Sequence, residues 1–513
     1  MPGKFEVIDY IILIGYLLFI LYIGMAVAKK GMKGKEFFKG DGKIPWWVTS
    51  VSLFATLLSP ISFLSLAGNS YSDSWQLWVA QLGLFISVPV AIIFFLPVYR
   101  NLNLDTAYEY LERRFDKNLR LLASVLFIIY QIGRMSIIMY LPAIALSAVT
   151  GINAVFIILF MGIIATIYST VGGIKSVLWT DFIQGVVLIG GGIFALIVLI
   201  FSIEGGVPAI FSTGLENDKF FSEEVLFDPN FVNDSLFIIF IGAGLSTAFS
   251  YISSQDMVQR YLTTTDLKQM NKMTIGNGVL SLGTATLFFF IGTALFVFYT
   301  QQMGSDIPTG NSDLIFANFI VSELPAGVSG LLIAGLFAAG QSTLSTGLNS
   351  VATSWTLDIQ KVIKPDLSDA MSTKIAKSVS TIVGIFAILF AIVLAYSDIS
   401  SAYEWFNGLM GLVLGIVGGT FTLGVMTRKA NAKGAMLGFI ATSIIAVYVS
   451  YFTDISLWAY SIINLVNSLV FGYVFSLIFS GKSKAEDECL ELTYYDQKTL
   501  FDESERNEDY YAQ

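Results

Sequence analysis

In FAAGQSTLSTGLNS (337–350), Ala339, Ser342 and Thr343 are spaced i, i+3 and i+4, so a helix puts them on one face. Ser345 and Thr346 follow on the next turn. A small hard cation takes several neutral oxygens, and hydroxyls with freed backbone carbonyls supply them without burying a net charge. The plainer reading is that such hydroxyls bond back to their own helix and let helices approach. Carbonyls would come from WWVTSVSLFATLLSPISFLSLAG (46–68), where Pro60 lacks an N–H and obstructs the helix before it, freeing carbonyls near residues 55–58. A simple proline kink is the alternative there.

Two ionisable side chains fall in or beside apolar runs. Arg134, in FIIYQIGRMSIIMY, sits near the middle of one, where insertion costs at least about 2.5 kcal/mol. The plainer reading is a structural ion pair between helices, but no carboxylate is expected at comparable depth, so a ligand carboxylate, matched bidentately by the guanidinium fork, is its expected partner. Asp181, in SVLWTDFIQG, starts another run, either as a helix N-cap or as a cation ligand. A further run, FIIFIGAGLSTAFSYISS (237–254), carries Gly242 and Gly244 followed by Ser246, Thr247 and Ser250. A glycine-rich interruption there lies five apolar runs after Pro60, the separation expected of an inverted five-helix repeat.

The elements that must hold these residues follow from composition. The 513-residue chain is only 13% charged, about half of the roughly 25% usual in soluble domains, and cannot cover a water-facing surface. Mean hydropathy is +0.71. Thirteen stretches suit a spanning helix of about 20 residues: 8–28, 47–66, 77–97, 121–149, 152–168, 182–202, 235–253, 275–299, 326–358, 377–396, 406–426, 434–451 and 457–479. The first has no basic region followed by a cleavage site and reads as a retained span.

Orientation follows from Lys and Arg. The 29–45 loop holds Lys29, Lys30, Lys33, Lys35, Lys39 and Lys43, and every second loop after it is basic. The opposite side carries only Lys4 and Lys219 amid acids that include Glu204, Glu216, Asp218, Glu223, Glu224, Asp228 and Asp234. The N-terminus is expected outside and the C-terminus in the cytoplasm. Residues 106–115 read as a short amphipathic helix on the cytoplasmic face, and 481–513, with ten acids against four bases, as a solvated, mobile tail.

Several function classes are excluded. The net charge of −9 argues against a nucleic-acid partner. With no His, and with Cys489 alone in the tail, there is no imidazole chemistry and no internal disulfide. No G-x-x-x-x-G-K-[ST] is present for a nucleotide-driven pump. A channel, a sensor or a secondary transporter remains, and the interrupted helices with polar atoms at mid-depth favour the transporter.

Four motifs carry a resemblance to the sodium:solute symporter family: the interrupted second span, STVGGIKSVLWTDFIQ (169–184), SSQDMVQRYL (253–262) and GLFAAGQSTLSTGLNS (335–350). Within that family the chain is most similar to the bacterial sialic acid branch, through LDTAYEYLERRFD (104–116), QIGRMSII (131–138) and SQDMVQRY. The resemblance implies an all-α, LeuT-type fold of two inverted five-helix repeats, about 47–202 and 235–426, within a transmembrane domain of 1–480. It implies no enzyme activity and a multi-pass protein of the bacterial cytoplasmic membrane that functions as a monomer.

The resemblance also implies roles. One Na⁺ site would use the carbonyls of Ala55, Leu58 and Ala339 and the hydroxyls of Ser342 and Thr343. A second, described for some members, would use Asp181, Ser342, Ser345 and Thr346. Arg134 would pair with the substrate carboxylate, and Ser59, Ser62 and Gln81 match substrate-contact positions. Leu57 and Leu77 stand where relatives often carry a hydroxyl and an aromatic, and Ala243 and Thr247 where a bulky aromatic and an amide can occur. Leu57, Ala243 and Thr247 therefore join the expected substrate lining while differing from the branch. The expected activity is Na⁺-coupled uptake of N-acetylneuraminate by alternating access. The same fold carrying another monocarboxylate, a sugar or an amino acid is the alternative, and a transporter-like sensor or channel a more distant one.

Overall fold

The computed structural model describes residues 5–28, 35–40, 44–221, 226–228, 230–264, 266–304, 307–397, 402–479, 481–486 and 491–497. Lys29, Lys30, Lys33, Lys43, Glu223, Glu224 and Cys489, and the tail beyond 497, lie outside them. Among the described residues the fold is all helical, with eleven helices long and apolar enough to cross a membrane and a twelfth counted from one bent pair. The thirteen expected stretches keep their order as segments. The fifth, however, lies on Ala154–Thr170, a helix shorter than the other spans. A helix of that length rises only about 26 Å against a hydrocarbon core of about 30 Å.

The bent pair is the second segment, Trp46–Leu57 and Pro60–Ser72, which meet at 61°. Leu58 and Ser59 between them are extended. Pro60 opens the second half at a position where its missing N–H costs nothing. The fifth and sixth segments form one run, Ala154–Ser202, kinked at Gly173, whose φ of 58° suits only glycine.

The seventh segment departs from expectation. Leu236–Ser253 runs as a helix straight through Gly242 and Gly244 and breaks at Ser254 (φ −82°, ψ 126°), before a short helix, Gln255–Tyr261. The glycines serve close packing instead. A Cβ on Gly242 would lie 2.0 Å from the Trp458 carbonyl oxygen, and one on Gly244 would lie 2.8 Å from Ile86. The two breaks, at Leu58–Ser59 and at Ser254, still fall five segments apart.

The ninth segment, Val328–Ser354, is buried along nearly its whole length and packs against the fifth–sixth run, the fourth and the first. Its N-terminus is capped from another helix: Asp9 of the first segment (Val7–Ala28) accepts the amides of Gly327 and Gly330, each at 2.7 Å. The eleventh segment contains a π-turn at Met410–Leu414.

On the basic side, Arg120 bridges Glu112 (2.6 Å) and Asp358 (2.7 Å), and Lys39 pairs with Asp105 (2.7 Å). The expected amphipathic helix is shorter, Glu109–Arg114, with Tyr110, Leu111 and Arg114 buried and Arg113 exposed on its other face. Its fully buried Arg114 donates to the carbonyls of Gly424, Thr427 and Ala430. Part of the acidic tail is likewise packed rather than solvated. Leu492, Thr493 and Gln497 are buried, Tyr110 donates to the Leu492 carbonyl at 3.1 Å, and Asp496 pairs with Arg428 at 2.7 Å. An acidic composition does not keep a segment in water when its few apolar residues find a pocket and its carboxylate a base.

Candidate functional site

The site begins where the second segment stops. Leu58 still donates to the Phe54 carbonyl (2.8 Å), but the amide that would regularly reach the Thr56 carbonyl belongs to residue 60. Proline has none. The Thr56 carbonyl is therefore open to side chains and receives Arg134 Nη2 at 2.6 Å and Thr343 Oγ1 at 3.3 Å. Thr343 Oγ1 also lies 3.2 Å from the Ala339 carbonyl oxygen, so one hydroxyl joins the broken helix to the ninth segment. Ala55, Leu58 and Ala339 are buried at this junction, as is the Ser342 side chain. The five residues of the first expected sodium site thus lie on the two segments that Thr343 connects.

Asp181 is not a cap. It lies inside the helix Gly172–Ser202, fully buried, and its carboxylate serves other helices. Ser52 Oγ donates to Oδ2 at 2.7 Å, Thr346 Oγ1 is 3.2 Å from Oδ2, and Ser345 Oγ is 3.4 Å from Oδ1. With Ser342 one turn away, the four residues of the second expected site meet in one buried cluster. A fifth group, assigned by sequence to one of the basic loops, is instead buried here. Arg260 Nη2 lies 2.7 Å from Asp181 Oδ2 and 2.6 Å from Thr346 Oγ1, and its Nε donates to Ser52 Oγ at 3.0 Å.

Arg134 also departs from expectation. A carboxylate does reach its depth: Asp256, fully buried on Gln255–Tyr261, accepts Nη1 at 2.6 Å. Its Nε is buried with no hydrogen-bond partner among the described residues, and its guanidinium carbon lies 5.9 Å from the centre of the Phe406 ring. Asp256 looked like a residue beyond the end of the seventh span. The break at Ser254 lets the chain turn its carboxylate back among the fourth, second and ninth segments.

Phe406 links this pair to a cavity of about 120 Å³. Leu57, Ser62, Gln81, Ala243 and Thr247 line it, together with Leu58 from the break. Ser59 is buried and does not line it, and Arg134 lies behind Phe406 rather than in the wall. Ser250, singled out beside the two glycines, also lines it, while sequence reasoning missed Ser281, Phe406, Asn407, Met410 and Trp458. An asparagine in an apolar helix was a usable signal for Asn407. Trp458 gave none, because it comes from the start of the last segment, outside both expected repeats.

The wall therefore combines amide and hydroxyl groups with aromatic faces, as suits a solute that is polar on some edges and apolar on others. Hydroxyls and a broken-helix carbonyl stand on the far side of the same break. That arrangement can bind a polar organic solute and a hard cation at adjoining places on one discontinuous helix.

Comparison with known proteins agrees with this geometry. The Sodium:solute symporter family model matches residues 37–442. The sodium/sialic acid symporter SiaT of Proteus mirabilis is 37% identical over 478 residues, covering 93% of this chain and 96% of its own. The sodium/sialic acid symporter NanT of Aliivibrio fischeri is 34% identical, covering 96% and 98%. The structure of a Na⁺-coupled sialic acid symporter in a substrate-bound, outward-open state superposes with a TM-score of 0.88 at 36% identity, over 94% of this chain and 100% of that one. A nucleobase-cation-symport-1 family transporter, at 15% identity and a TM-score of 0.58, shares the fold alone. The architecture is that of the LeuT-type transporters, and the protein is not an enzyme. The chain belongs to the sodium:solute symporter family, whose activity is Na⁺-coupled solute symport across a membrane.

Proposed function

We propose that this symporter carries sialic acid, N-acetylneuraminate, into the cell down a Na⁺ gradient. The observation that carries the reading is the cavity against the broken second segment, with Gln81, Ser62 and Thr247 in its wall and Arg134 one aromatic ring behind it. Arg134 supplies a fork for the solute carboxylate, and the amide and hydroxyl side chains supply partners for a sugar's hydroxyls. The two sialic acid symporters similar to this chain over most of their length support the same solute.

Sodium is the co-transported substrate, at two places. The first takes the carbonyls of Ala55, Leu58 and Ala339 with Ser342 and Thr343. The second takes Asp181 with Ser342, Ser345 and Thr346. Sodium at the first ties the second segment to the ninth, as Thr343 does, and favours the state open to the outside. Solute then closes the outer side around Gln81, and release follows on the basic side, which faces the cytoplasm with the C-terminus. The protein works as a monomer in the bacterial cytoplasmic membrane.

Uptake of labelled N-acetylneuraminate, glucose and proline into proteoliposomes, with and without an inward Na⁺ gradient, tests this reading. We expect concentrative, Na⁺-dependent uptake of N-acetylneuraminate alone. Na⁺-dependent uptake of a different solute would replace the substrate and keep the mechanism. Leu57 and Ala243, apolar in the wall, favour a second reading in which a smaller monocarboxylate is carried, and pyruvate and lactate belong in the same panel.

A further inference from the structure

The short helix Gln255–Tyr261 carries both charges that occupy the expected ligand sites. Asp256 sits on Arg134, where the solute carboxylate is proposed to bind. Arg260 sits on Asp181 and Thr346, where a sodium ion is proposed to bind. The two residues are one helical turn apart, and Arg260 Nη1 also donates to the Asp256 carbonyl at 2.6 Å. We propose that this helix couples solute to sodium, with Asp256 standing in for the solute carboxylate on Arg134 and Arg260 standing in for sodium on Asp181. The inference rests on the transport reading above and adds the residues that perform the coupling.

Charge balance supports it first. Arg134, Asp256, Arg260 and Asp181 are each at most 2% exposed and form two ion pairs with no net charge. A sodium ion arriving alone leaves an excess positive charge in a low-dielectric interior, and a carboxylate arriving alone an excess negative one. The carboxylate on Arg134 and the sodium ion on Asp181 cancel when they arrive together, while the ion at the break is held by neutral oxygens. Each therefore favours the other, and by linkage to the same extent.

Alternative partners support it second. Released by Arg134, Asp256 keeps Gln131 Nε2 (3.3 Å), the Met257 amide (3.0 Å) and the Ser254 hydroxyl. Released by Asp181, Arg260 keeps Ser52 Oγ and the Asp256 carbonyl. Neither exchange strands a buried charge without hydrogen bonds.

The helix is also placed to transmit the exchange. Extended backbone at Ser254 joins it to the seventh segment and supplies the hinge. Its other polar side chains hold elements of the basic side. Gln259 Nε2 donates to the Phe38 carbonyl (2.6 Å) and to Thr353 Oγ1 (3.1 Å), and Gln255 Oε1 accepts the Ala107 amide (2.7 Å). Loosening both ion pairs thus loosens the helix that holds residues 38, 107 and 353 together.

The test measures N-acetylneuraminate binding to the purified full chain in lipid nanodiscs by calorimetry, at low and at saturating Na⁺. For linked sites the ratio of the two Kd values is ordinarily about 5–150. In Asp256→Asn, solute binding at low Na⁺ should tighten several-fold and the ratio fall towards unity. In Arg260→Gln, Na⁺ binding should tighten and the ratio again fall. If Arg260→Gln does not fold, Arg260→Lys replaces it, since it keeps the charge and gives up the fork. Asp256→Asn decides independently. A wild-type ratio retained in both variants, or weaker solute binding in Asp256→Asn, overturns the coupling role and leaves the transport reading standing. A wild-type protein that binds no N-acetylneuraminate at any Na⁺ concentration overturns the sialic acid reading, and with it the coupling of that solute to sodium.

Discussion

The carbonyl oxygen of Thr56 accepts Arg134 Nη2 at 2.6 Å because the residue one turn later, Pro60, has no amide to offer. A missing hydrogen bond in one helix thereby fixes the guanidinium of another. The same guanidinium holds Asp256, so the break in the second segment bears on the position of the short helix after the seventh.

Removing one partner of a buried pair costs more than removing both. Arg134→Met should destabilise the protein by about 3–5 kcal/mol, and adding Asp256→Asn should restore much of that loss. Equilibrium unfolding of both variants in mixed micelles would check it. A double variant no more stable than Arg134→Met would show that the pair contributes little beyond packing.

Pro60→Ala returns an amide to the Thr56 carbonyl. The second segment should straighten, and Arg134 and Thr343 should lose their shared acceptor. We expect Na⁺ affinity to fall at least tenfold, a step of about 1.4 kcal/mol, read from the Na⁺ dependence of transport. Unchanged Na⁺ dependence would place the coupling ion away from the break.

Gly242→Ala puts a methyl group 2.0 Å from the Trp458 carbonyl oxygen, which is backbone and cannot swing aside. Overpacking of this kind costs about 1–3 kcal/mol. Because Trp458 lines the cavity, its displacement should also weaken solute binding while Na⁺ affinity holds. Binding isotherms for solute and for Na⁺ on the same preparation separate the two effects.

Leu492, only 2% exposed, is an apolar anchor of the packed part of the tail. Leu492→Ala should cost about 2–5 kcal/mol if the segment stays docked and less if it lifts away. Amide exchange at Thr493 and Gln497 should be slow in the wild type and fast in the variant.

Much of this was legible because single residues dictated it. Pro60 alone breaks a helix whatever surrounds it, and the oxygen cluster of the ninth segment follows from spacing on one face. The break at Ser254 was not legible. No proline or glycine marks it, and the glycines that drew attention, Gly242 and Gly244, are packing residues whose role depends on Trp458 and Ile86. Asp256 and Arg260 were missed for the same reason. Their depth depends on the chain turning back after that break, so their positions along the sequence place them at a helix end rather than among the buried segments. Trp458 reaches the cavity through the packing of the last segment on the seventh, a contact with no local pattern.

The cap that Asp9 places on the ninth helix spans 318 and 321 residues of sequence. At about 5–20 residues per second, the ribosome delivers Gly330 on the order of 15–60 s after Asp9. In the folded chain the other carboxylate oxygen accepts the Glu6 amide at 2.9 Å, a contact within the same stretch of sequence. The Asp9 end of the first helix therefore gains these two contacts only after the ninth has arrived, although the same helix also packs on the earlier fifth–sixth run.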